Sequence, residues 1–257
     1  MRTILATRYV TPLREGGSLP AVVEGDDEGL YVLKFRGAGQ GANALVAELV
    51  AGGIARAIGL PLPEIVLAEL DGDLARNEPD PEIQALIRAS AGTNLALDFL
   101  PGAVAFDPAV ESPEATLASS IVWFDAFVMN VDRTPRNTNL LVWHRRLMLI
   151  DHGAALYFHH DWERAERAVV EPFARIREHV LLPFASRIAE VEGELAAKLG
   201  RDVLEGIVAE VPASWLDPQP GAPRADAVRA QYVDVLTRRL AARAFVEEAI
   251  RARPGHL

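Results

Sequence analysis

Two short segments rich in acidic and amide side chains carry most of the information in this sequence. They read Asn130-Val131-Asp132-Arg133-Thr134-Pro135-Arg136-Asn137-Thr138-Asn139 and Leu149-Ile150-Asp151-His152-Gly153. The first follows a predicted helix over about residues 113–130, whose apolar residues recur at helical spacing. Runs 138–143 and 147–150 predict a hairpin between the two segments. Because a hairpin returns the chain to its starting point, we expect both segments to face one site.

Three polar side chains of these segments have an order and spacing that indicate phosphoryl transfer. A kinase site uses an Asp near the acceptor hydroxyl, an Asn five positions later that holds a metal, and a second metal-binding Asp after a short hairpin. Asp132, Asn137 and Asp151 match that order. We therefore interpret Asp132 as the catalytic residue. Asn137 and Asp151 are the predicted ligands of Mg²⁺, which prefers oxygen atoms.

A cation for the phosphates and a carboxylate to fix it are predicted nearer the start of the chain. Runs 18–24 and 30–36 predict a hairpin, and Lys34 lies on its second strand. Residues 43–58 predict a helix with Asn43 as its cap and Gly59 as its end. Glu48 lies on the apolar side of that helix, where an unpaired carboxylate would be costly. We expect Lys34 and Glu48 to form an ion pair at the site.

A glycine-containing loop precedes the first strand of this hairpin. It includes Gly16, Gly17 and Ser18. Glycines leave backbone N–H groups accessible because no Cβ lies in the way, and such groups bind phosphate oxygens. The loop is therefore a predicted phosphate-binding lid.

The motifs together resemble those of the HipA-like kinases and, more distantly, of the phosphatidylinositol 3- and 4-kinases. The resemblance covers about residues 16–158 and rests on Val32-Leu33-Lys34-Phe35, Glu48, Asn130-Val131-Asp132-Arg133, Asn137 and Ile150-Asp151-His152-Gly153. Two positions depart from the pattern. Many relatives have His where Thr134 stands, and the residue after the metal-binding Asp is His152. These departures leave open a protein that binds nucleotide without transferring phosphate.

The resemblance implies a fold, an activity and an adenine site. The implied fold is of the α+β class, a bilobal protein-kinase-like fold with a small mixed α/β lobe over residues 1–100 and a larger, mainly helical lobe over 101–257. The antiparallel sheet belongs to the small lobe. The implied activity is ATP- and Mg²⁺-dependent phosphate transfer to a hydroxyl, as in relatives that phosphorylate Ser or Thr of proteins. Adenine contacts are implied for Leu97, Asp98, Phe99 and Leu100.

Composition excludes several other classes. The 257 residues contain 26 Lys and Arg against 36 Asp and Glu, a net charge of −10, which disfavours nucleic acid and anionic membranes as partners. The absence of Cys excludes disulfides, thiolate nucleophiles and Cys-bearing metal sites. The most apolar run, residues 121–131, is too short to span a bilayer and contains Asp125. The first residues do not read as a signal peptide, so we expect a cytoplasmic protein.

Three alternative functions stay open at this point. The same site could bind ATP without transferring phosphate and regulate a partner protein through the C-terminal helices. It could also phosphorylate a small molecule, which an acidic pocket around Asp132 would favour. A remote alternative is a dinucleotide-binding loop at residues 37–41, but its third glycine falls one place early for that motif.

Several other polar residues have two interpretations each. Asp125 is either a surface residue or a buried acid that braces the catalytic loop through backbone amides near Asp132, and we favour the second interpretation. Arg133 and Arg136 either contact phosphate or an acidic substrate, or are solvated. His159 and His160 are assigned to a solvated loop because adjacent histidines point in different directions. The run 225–252 predicts one final helix, which packs on the core or docks a partner.

Overall fold

The computed structural model describes residues 1–13, 19–39, 41–216 and 224–253. Its strands are β1 (Thr3–Pro12), β2 (Ala21–Gly25), β3 (Leu30–Lys34), β4 (Ile65–Leu70), β5 (Gly92–Asp98), β6 (Val104–Ala105), β7 (Leu140–Trp143) and β8 (Arg146–Leu149). Its α-helices are α1 (Ala42–Ile58), α2 (Pro81–Ala89), α3 (Ala115–Val128), α4 (Ala165–Val170), α5 (Ile188–Ala197), α6 (Arg201–Ala209), α7 (Ala213–Leu216), α8 (Ala225–Ala242) and α9 (Ala244–Ala252). Short 3-10 turns connect several of them. The fold is of mixed α and β type.

The first five strands form a closed barrel in the order β1-β2-β3-β5-β4. Strand β1 pairs with β4 in parallel, whereas the other four pairings of the barrel are antiparallel. The prediction of an antiparallel sheet is therefore wrong in one respect, because the parallel pairing of β1 with β4 closes the sheet into a barrel. Strand β1 was not predicted because its pattern is weak: only Ile4 and Ala6 are buried, and its register shifts twice against β2.

Both predicted hairpins are present. Strands β2 and β3 pair antiparallel, with Tyr31 and Leu33 buried in the barrel interior. Val32 and Lys34 lie on the opposite face, as alternation requires. Strands β7 and β8 pair antiparallel around His144 and the next residue, whose φ angles are 47° and 62°. Positive φ at both central residues is the geometry of a two-residue type I′ turn.

The predicted cap of helix α1 is wrong. Helix α1 begins after Gly41 (φ 66°), which has no side chain, and Asn43 lies inside the first turn. Gly59 ends the helix in the left-handed conformation (φ 87°), as predicted. Helix α3 begins after Glu114, whose carboxylate accepts a hydrogen bond from the Leu117 N–H at 3.0 Å. Local patterns locate a helix end only to within a few residues, because several neighbouring side chains are able to cap it.

The predicted single C-terminal helix is two helices. Arg243 has φ 61° and separates α8 from α9. The break lets α9 bring Phe245 to Trp123 and Phe127 of α3, with ring centroids 5.4 Å apart in each pair. Burial of this aromatic cluster offsets the cost of the left-handed residue.

Two apolar cores hold the molecule together. One fills the barrel and extends to α2, and the other spans α1, α3 and the helices that follow. In the described parts of the chain, no helix combines the length and the apolar character that crossing a bilayer requires.

Candidate active site

Lys34, at the end of β3, lies between two carboxylates from distant parts of the chain. Its Nζ is 2.9 Å from Glu48 Oε2 of α1 and 2.6 Å from Asp151 Oδ1, just after β8. Burial alone would lower the pKa of Lys34, but the two carboxylates outweigh it and raise the pKa above its ordinary value. Lys34 is therefore a fixed positive charge at this point of the molecule.

Glu48 is fully buried and held from two directions. Besides Lys34, its carboxylate accepts hydrogen bonds from the His152 backbone N–H at 2.8 Å and from the His152 ring Nδ1 at 3.3 Å. Burial alone would raise the pKa of Glu48, but the Lys34 charge and the His152 hydrogen bonds outweigh it and lower the pKa to about 2. Glu48 is therefore ionised at neutral pH, and it ties α1 to the segment that follows β8.

Asp151 presents its carboxylate outward. Its side chain is 45% exposed, and its φ of 55° is in the left-handed region. A non-glycine residue in this conformation carries a strain of about 1–3 kcal/mol, and such strain is concentrated at functional sites. At Asp151, this backbone conformation accompanies two hydrogen bonds: the His152 N–H donates to Glu48, and Lys34 donates to the Asp151 carboxylate.

Asp132 and Asn137 are in direct contact. Asn137 Nδ2 donates to Asp132 Oδ2 at 2.8 Å, and Asn139 Nδ2 donates to the same oxygen at 3.3 Å. The Asp132 backbone N–H donates to Asn130 Oδ1 at 3.2 Å. Because the amide N–H of Asn137 donates its hydrogen bond to Asp132, the amide oxygen of Asn137 remains available to another partner.

A buried network beneath this loop centres on Asp125. Its carboxylate accepts hydrogen bonds from Asn130 Nδ2 at 2.9 Å, Arg133 Nε at 2.6 Å and His179 Nε2 at 2.9 Å. The Leu181 N–H donates to His179 Nδ1 at 3.0 Å, which fixes the ring with its proton on Nε2. Burial alone would raise the pKa of Asp125, but Arg133 and His179 outweigh it and lower the pKa. Asp125 does brace the loop, but through side chains instead of the expected backbone amides.

Arg133 has a role that neither sequence interpretation anticipated. It is buried beside Asp125, and its guanidinium also donates to the backbone carbonyls of Asn139 and Ile150, the latter at 3.3 Å. It therefore neither contacts solvent nor faces a ligand, and it joins the loop of Asp132 to the strand that leads to Asp151. Arg136 is exposed. His179 was also missed, because a single histidine far along the chain gives no local signal.

A cleft of about 880 Å³ adjoins these residues. Its lining includes Lys34, residues 97–100, Asn137 and Asp151, together with apolar side chains such as Val32 and Ile150. Asp132 is not part of this lining but is bonded to Asn137, which is. The volume and the mixture of an apolar wall with a few polar groups are typical of a small-molecule site.

The backbone at residues 97–100 is only partly available to a ligand. The Asp98 N–H donates to the Glu64 carbonyl and the Phe99 N–H to the Leu30 carbonyl, both at 2.9 Å. For the Leu100 N–H, no acceptor is found in the described parts of the chain. Of these three N–H groups, that of Leu100 is therefore the one free to meet a ligand in the cleft.

The predicted phosphate lid at Gly16, Gly17 and Ser18 lies outside the described residues. Leu13, which precedes that segment, and Pro20, two residues after it, both line the cleft. Their backbones are joined by a hydrogen bond from the Leu13 N–H to the Pro20 carbonyl at 2.7 Å.

Neither His159 nor Gly37 lines the cleft. The assignment of His159 to a solvated loop is wrong: it is buried, and its Nδ1 is 2.9 Å from the Tyr232 hydroxyl. The Gly37 N–H, at the start of the loop considered for a dinucleotide, donates to Ser90 Oγ at 3.0 Å. Within the described residues, no group of three or more His, Cys, Asp or Glu side chains is arranged to hold a metal ion by itself.

The fold resembles those of solved kinases. The Helicobacter pylori proinflammatory kinase CtkA is 12% identical, with a TM-score of 0.57 and coverage of 97% of both chains. The Golgi casein kinase, solved with Mn and ADP bound, is 10% identical, with a TM-score of 0.52 over 94% of this chain and 74% of that one. A search of curated proteins finds no significant match. The family model for HipA-like kinases matches residues 7–249, and the chain therefore belongs to the HipA-like kinase family.

Proposed function

We propose that this protein is an ATP- and Mg²⁺-dependent kinase that phosphorylates Ser or Thr hydroxyls of a protein. The observation that carries the proposal is Lys34, whose ammonium lies 2.9 Å from Glu48 and 2.6 Å from Asp151 at the edge of the cleft. A cation fixed by a buried carboxylate, beside a second carboxylate that is partly exposed, suits a phosphate-transfer site. Membership of a kinase family and the kinase folds of CtkA and the Golgi casein kinase support it.

ATP fits the cleft in size and chemistry. In the proposed arrangement, adenine lies against Val32, Leu97 and Ile150, and the free N–H of Leu100 donates to a ring nitrogen. Asp98 and Phe99 contribute surface and no N–H donor, because their N–H groups are already bonded. Lys34 binds phosphate oxygens, and the backbone N–H groups of Gly16, Gly17 and Ser18 are proposed as further phosphate donors.

The residues present suit a divalent metal that also binds phosphate. Asn137 offers an amide oxygen, and Asp151 offers the carboxylate oxygen that Lys34 does not occupy. Mg²⁺ in proteins is held by one or two side chains together with substrate phosphates, so a larger cluster of acids is not required. When bound, the metal neutralises charge on the transferred group. The Golgi casein kinase, with Mn and ADP, supports a divalent metal here as well.

Asp132 is proposed to orient the acceptor hydroxyl and accept its proton. Hydrogen bonds from Asn137 and Asn139 to one carboxylate oxygen fix the orientation of the side chain and leave the other oxygen for the acceptor. The buried network of Asp125, Arg133 and His179 holds the loop beneath it. With that support, the Asp132 side chain is held in one orientation, and a fixed geometry of the reacting groups favours transfer.

The proposal extends to the division of the chain. A small lobe over residues 1–100 carries Lys34, Glu48 and the lid, and a larger lobe over 101–257 carries Asp132, Asn137 and Asp151. The barrel and α1 belong to the first lobe, and α3 with the later helices to the second. The boundary at residue 100 stays a prediction.

The test is transfer of radiolabelled phosphate from ATP to casein and to the protein itself, with Mg²⁺ or Mn²⁺ present. Asp132→Asn should abolish transfer and keep the affinity for ATP, because it removes the proton acceptor and leaves the cleft intact. Asp151→Ala should weaken calorimetric binding of Mg²⁺-ATP. Wild-type turnover in Asp132→Asn would show that Asp132 is not the acid-base residue, and unchanged affinity in Asp151→Ala would remove the metal role.

A second function, nucleotide binding without transfer, is favoured by one observation. Asp151, a proposed metal ligand, is occupied by Lys34 at 2.6 Å, and this contact would persist in a protein that binds ATP without metal. In that case ATP binds with equal affinity with and without Mg²⁺, and no radiolabel is transferred. Tighter binding in the presence of Mg²⁺ would contradict this second function.

A further inference from the structure

A second cavity of about 860 Å³ lies apart from the catalytic side chains. It is bordered by the C-terminal half of α1, by residues 60–65, by the segment that precedes α3 and by β8. Its apolar floor is formed by Leu60, Leu62, Phe106, Leu117, Leu147 and Met148. Pro63 is a wall residue of both this cavity and the nucleotide cleft, so the two are neighbours.

Three arginines line this cavity without a partner. Arg56 of α1 and Arg145 and Arg146 of the β7–β8 hairpin are exposed, and none makes an ion pair or a side-chain hydrogen bond with the described part of the chain. The chain carries 36 acidic residues, so a local group of unpaired cations is unusual in it. We name this cavity the arginine groove. Arginine is the cation best suited to bidentate recognition of carboxylates.

The acidic residues of the arginine groove cancel these charges only in part. Glu64 is occupied by Arg2, with Nη2 to Oε2 at 2.8 Å. Glu114 accepts the Leu117 N–H at the start of α3, and this bond contributes to lowering the pKa of its carboxyl group. Glu111 makes no side-chain hydrogen bond or ion pair with the described residues. With Glu64 paired to Arg2, the three arginines outnumber Glu111 and Glu114 by one, which leaves a small excess of positive charge above an apolar floor.

The groove also presents an open strand edge. Strand β8 is at the edge of the three-stranded sheet β6-β7-β8. The Leu149 N–H points away from β7 and donates to the Pro61 carbonyl at 2.8 Å. Backbone N–H groups alternate in direction along a strand. The N–H of Leu147, two residues earlier, therefore points to the same side as that of Leu149, into the groove. No partner for its N–H is found among the described residues.

We propose that the arginine groove binds an extended, acidic peptide segment of a partner protein, which pairs with β8 at Leu147. An extended segment meets all three features at once. Its backbone bonds the open edge, its apolar side chains cover the floor, and its carboxylates on the alternate side meet the arginines. The groove is separate from the proposed phosphate-transfer residues, so this inference does not depend on the proposed function.

The test measures binding of a labelled peptide by fluorescence anisotropy with the full chain. The peptide alternates Glu and Val over about six residues, the usual length of a strand. The variant Arg145→Glu with Arg146→Glu should weaken binding by about tenfold or more, because attraction becomes repulsion. Arg56→Glu, on a different element, should also weaken it. The control Arg167→Glu with Arg224→Glu changes two exposed arginines, one in α4 and one just before α8, and should leave the affinity as it is.

Two outcomes would overturn the proposal. One is a peptide of alternating Lys and Val that binds as tightly as the Glu peptide, and the other is equal affinity for the Arg145 and Arg146 variant and the wild type. A second readout tests the strand pairing. Hydrogen exchange at the Leu147 amide should slow when the Glu peptide is bound, since the amide then donates to the peptide. Binding with unchanged exchange at Leu147 would show that the peptide does not pair with β8.

Discussion

Glu48 is the residue on which the geometry of the site depends most. It is fully buried and is bonded both to Lys34 and to His152, so it connects the barrel with the strand that delivers Asp151. Among the described residues, the Lys34 ammonium has one other carboxylate partner, that of Asp151. Loss of the charge on Glu48 would leave Lys34 attached to the proposed metal ligand alone. The Glu48 carboxylate therefore shares the Lys34 ammonium with Asp151 and fixes its position from the α1 side.

We expect Glu48→Gln to lower kcat/KM for the proposed transfer by about 100-fold, because Lys34 is no longer fixed at the phosphates. The fold should persist, as an amide has nearly the same shape, and circular dichroism checks this. The matched control is Glu82→Gln, an exposed carboxylate of α2. Equal rates for Glu48→Gln and wild type would exclude Glu48 from the positioning of Lys34.

The burial of His159 makes the free energy of unfolding depend on pH, and the direction of the His159 pKa shift fixes the sign of that dependence. Burial, and secondarily the neighbouring His160, lower its pKa to about 3. In the unfolded chain a histidine has a pKa of about 6.5. Below that pH the unfolded chain binds a proton that the folded chain does not, so the free energy of unfolding falls as the pH decreases from about 6.5 towards 3.

We expect His159→Asn to reduce this slope by up to about 1.4 kcal/mol per pH unit, the value for one proton. Urea unfolding at several pH values between about 6.5 and 5 measures it. Burial also lowers the pKa of His179, which acts in the same direction, so part of the slope should remain. His144→Asn, at the exposed hairpin tip, is the control. An unaltered slope in His159→Asn would mean that His159 is protonated in the folded protein.

At the scale of elements, the β7–β8 hairpin determines where Asp151 lies relative to Asp132. Its turn places two L-residues, His144 and Arg145, at φ 47° and 62°. Left-handed backbone costs roughly 1–2 kcal/mol per residue with a Cβ. The sequence Asn-Gly adopts this turn with little strain. The native turn is therefore stabilised by its strands and not by its own residues.

We expect His144→Asn combined with Arg145→Gly to raise the free energy of unfolding by about 1 kcal/mol. The shift of the urea midpoint measures the gain. Arg146→Gly, which places a glycine inside β8, should instead lower stability by about 0.5–1 kcal/mol. A double variant that is less stable than wild type would show that the turn residues make a contribution that outweighs their strain.

At the scale of the whole molecule, the cleft is formed by parts that are distant in sequence. Its lining runs from Thr11 and Leu13 near the start of the chain to Ile150 and Asp151. A ligand that bridges these parts binds the folded protein and not the unfolded chain. Its binding free energy is then added to the stability of the fold.

We expect Mg²⁺-ATP at about 100 times its Kd to stabilise the protein by roughly 2.7 kcal/mol. For a chain of this size, that corresponds to a Tm increase of about 5–10 °C. Differential scanning fluorimetry measures the shift, and Asp151→Ala should lose the part that depends on Mg²⁺. Equal shifts with and without Mg²⁺ in the wild type would contradict a metal-assisted site.

The sequence alone predicted the elements and side chains whose signals are local. The β2–β3 and β7–β8 hairpins, helix α1 with its end at Gly59, and the group Lys34, Glu48, Asp132, Asn137 and Asp151 follow from periodicity, turn residues and spacing. The structure brings Lys34, Glu48 and Asp151 into direct contact, and joins Asp132 to Asn137. The roles proposed for these side chains in catalysis and metal binding stay predictions. Burial of a face and reversal at a turn are properties of consecutive residues, which a sequence displays directly.

Only the tertiary structure decided what depends on contacts between distant residues. The parallel pairing of β1 with β4 closes the barrel across more than sixty residues, and β1 carries no strong pattern of its own. The burial of Arg133 beside Asp125 and His179, and the break at Arg243 that inserts Phe245 between aromatic rings, are of the same kind. Each of these features is favourable only because residues distant in sequence come into contact in the fold. Local sequence patterns do not indicate such contacts.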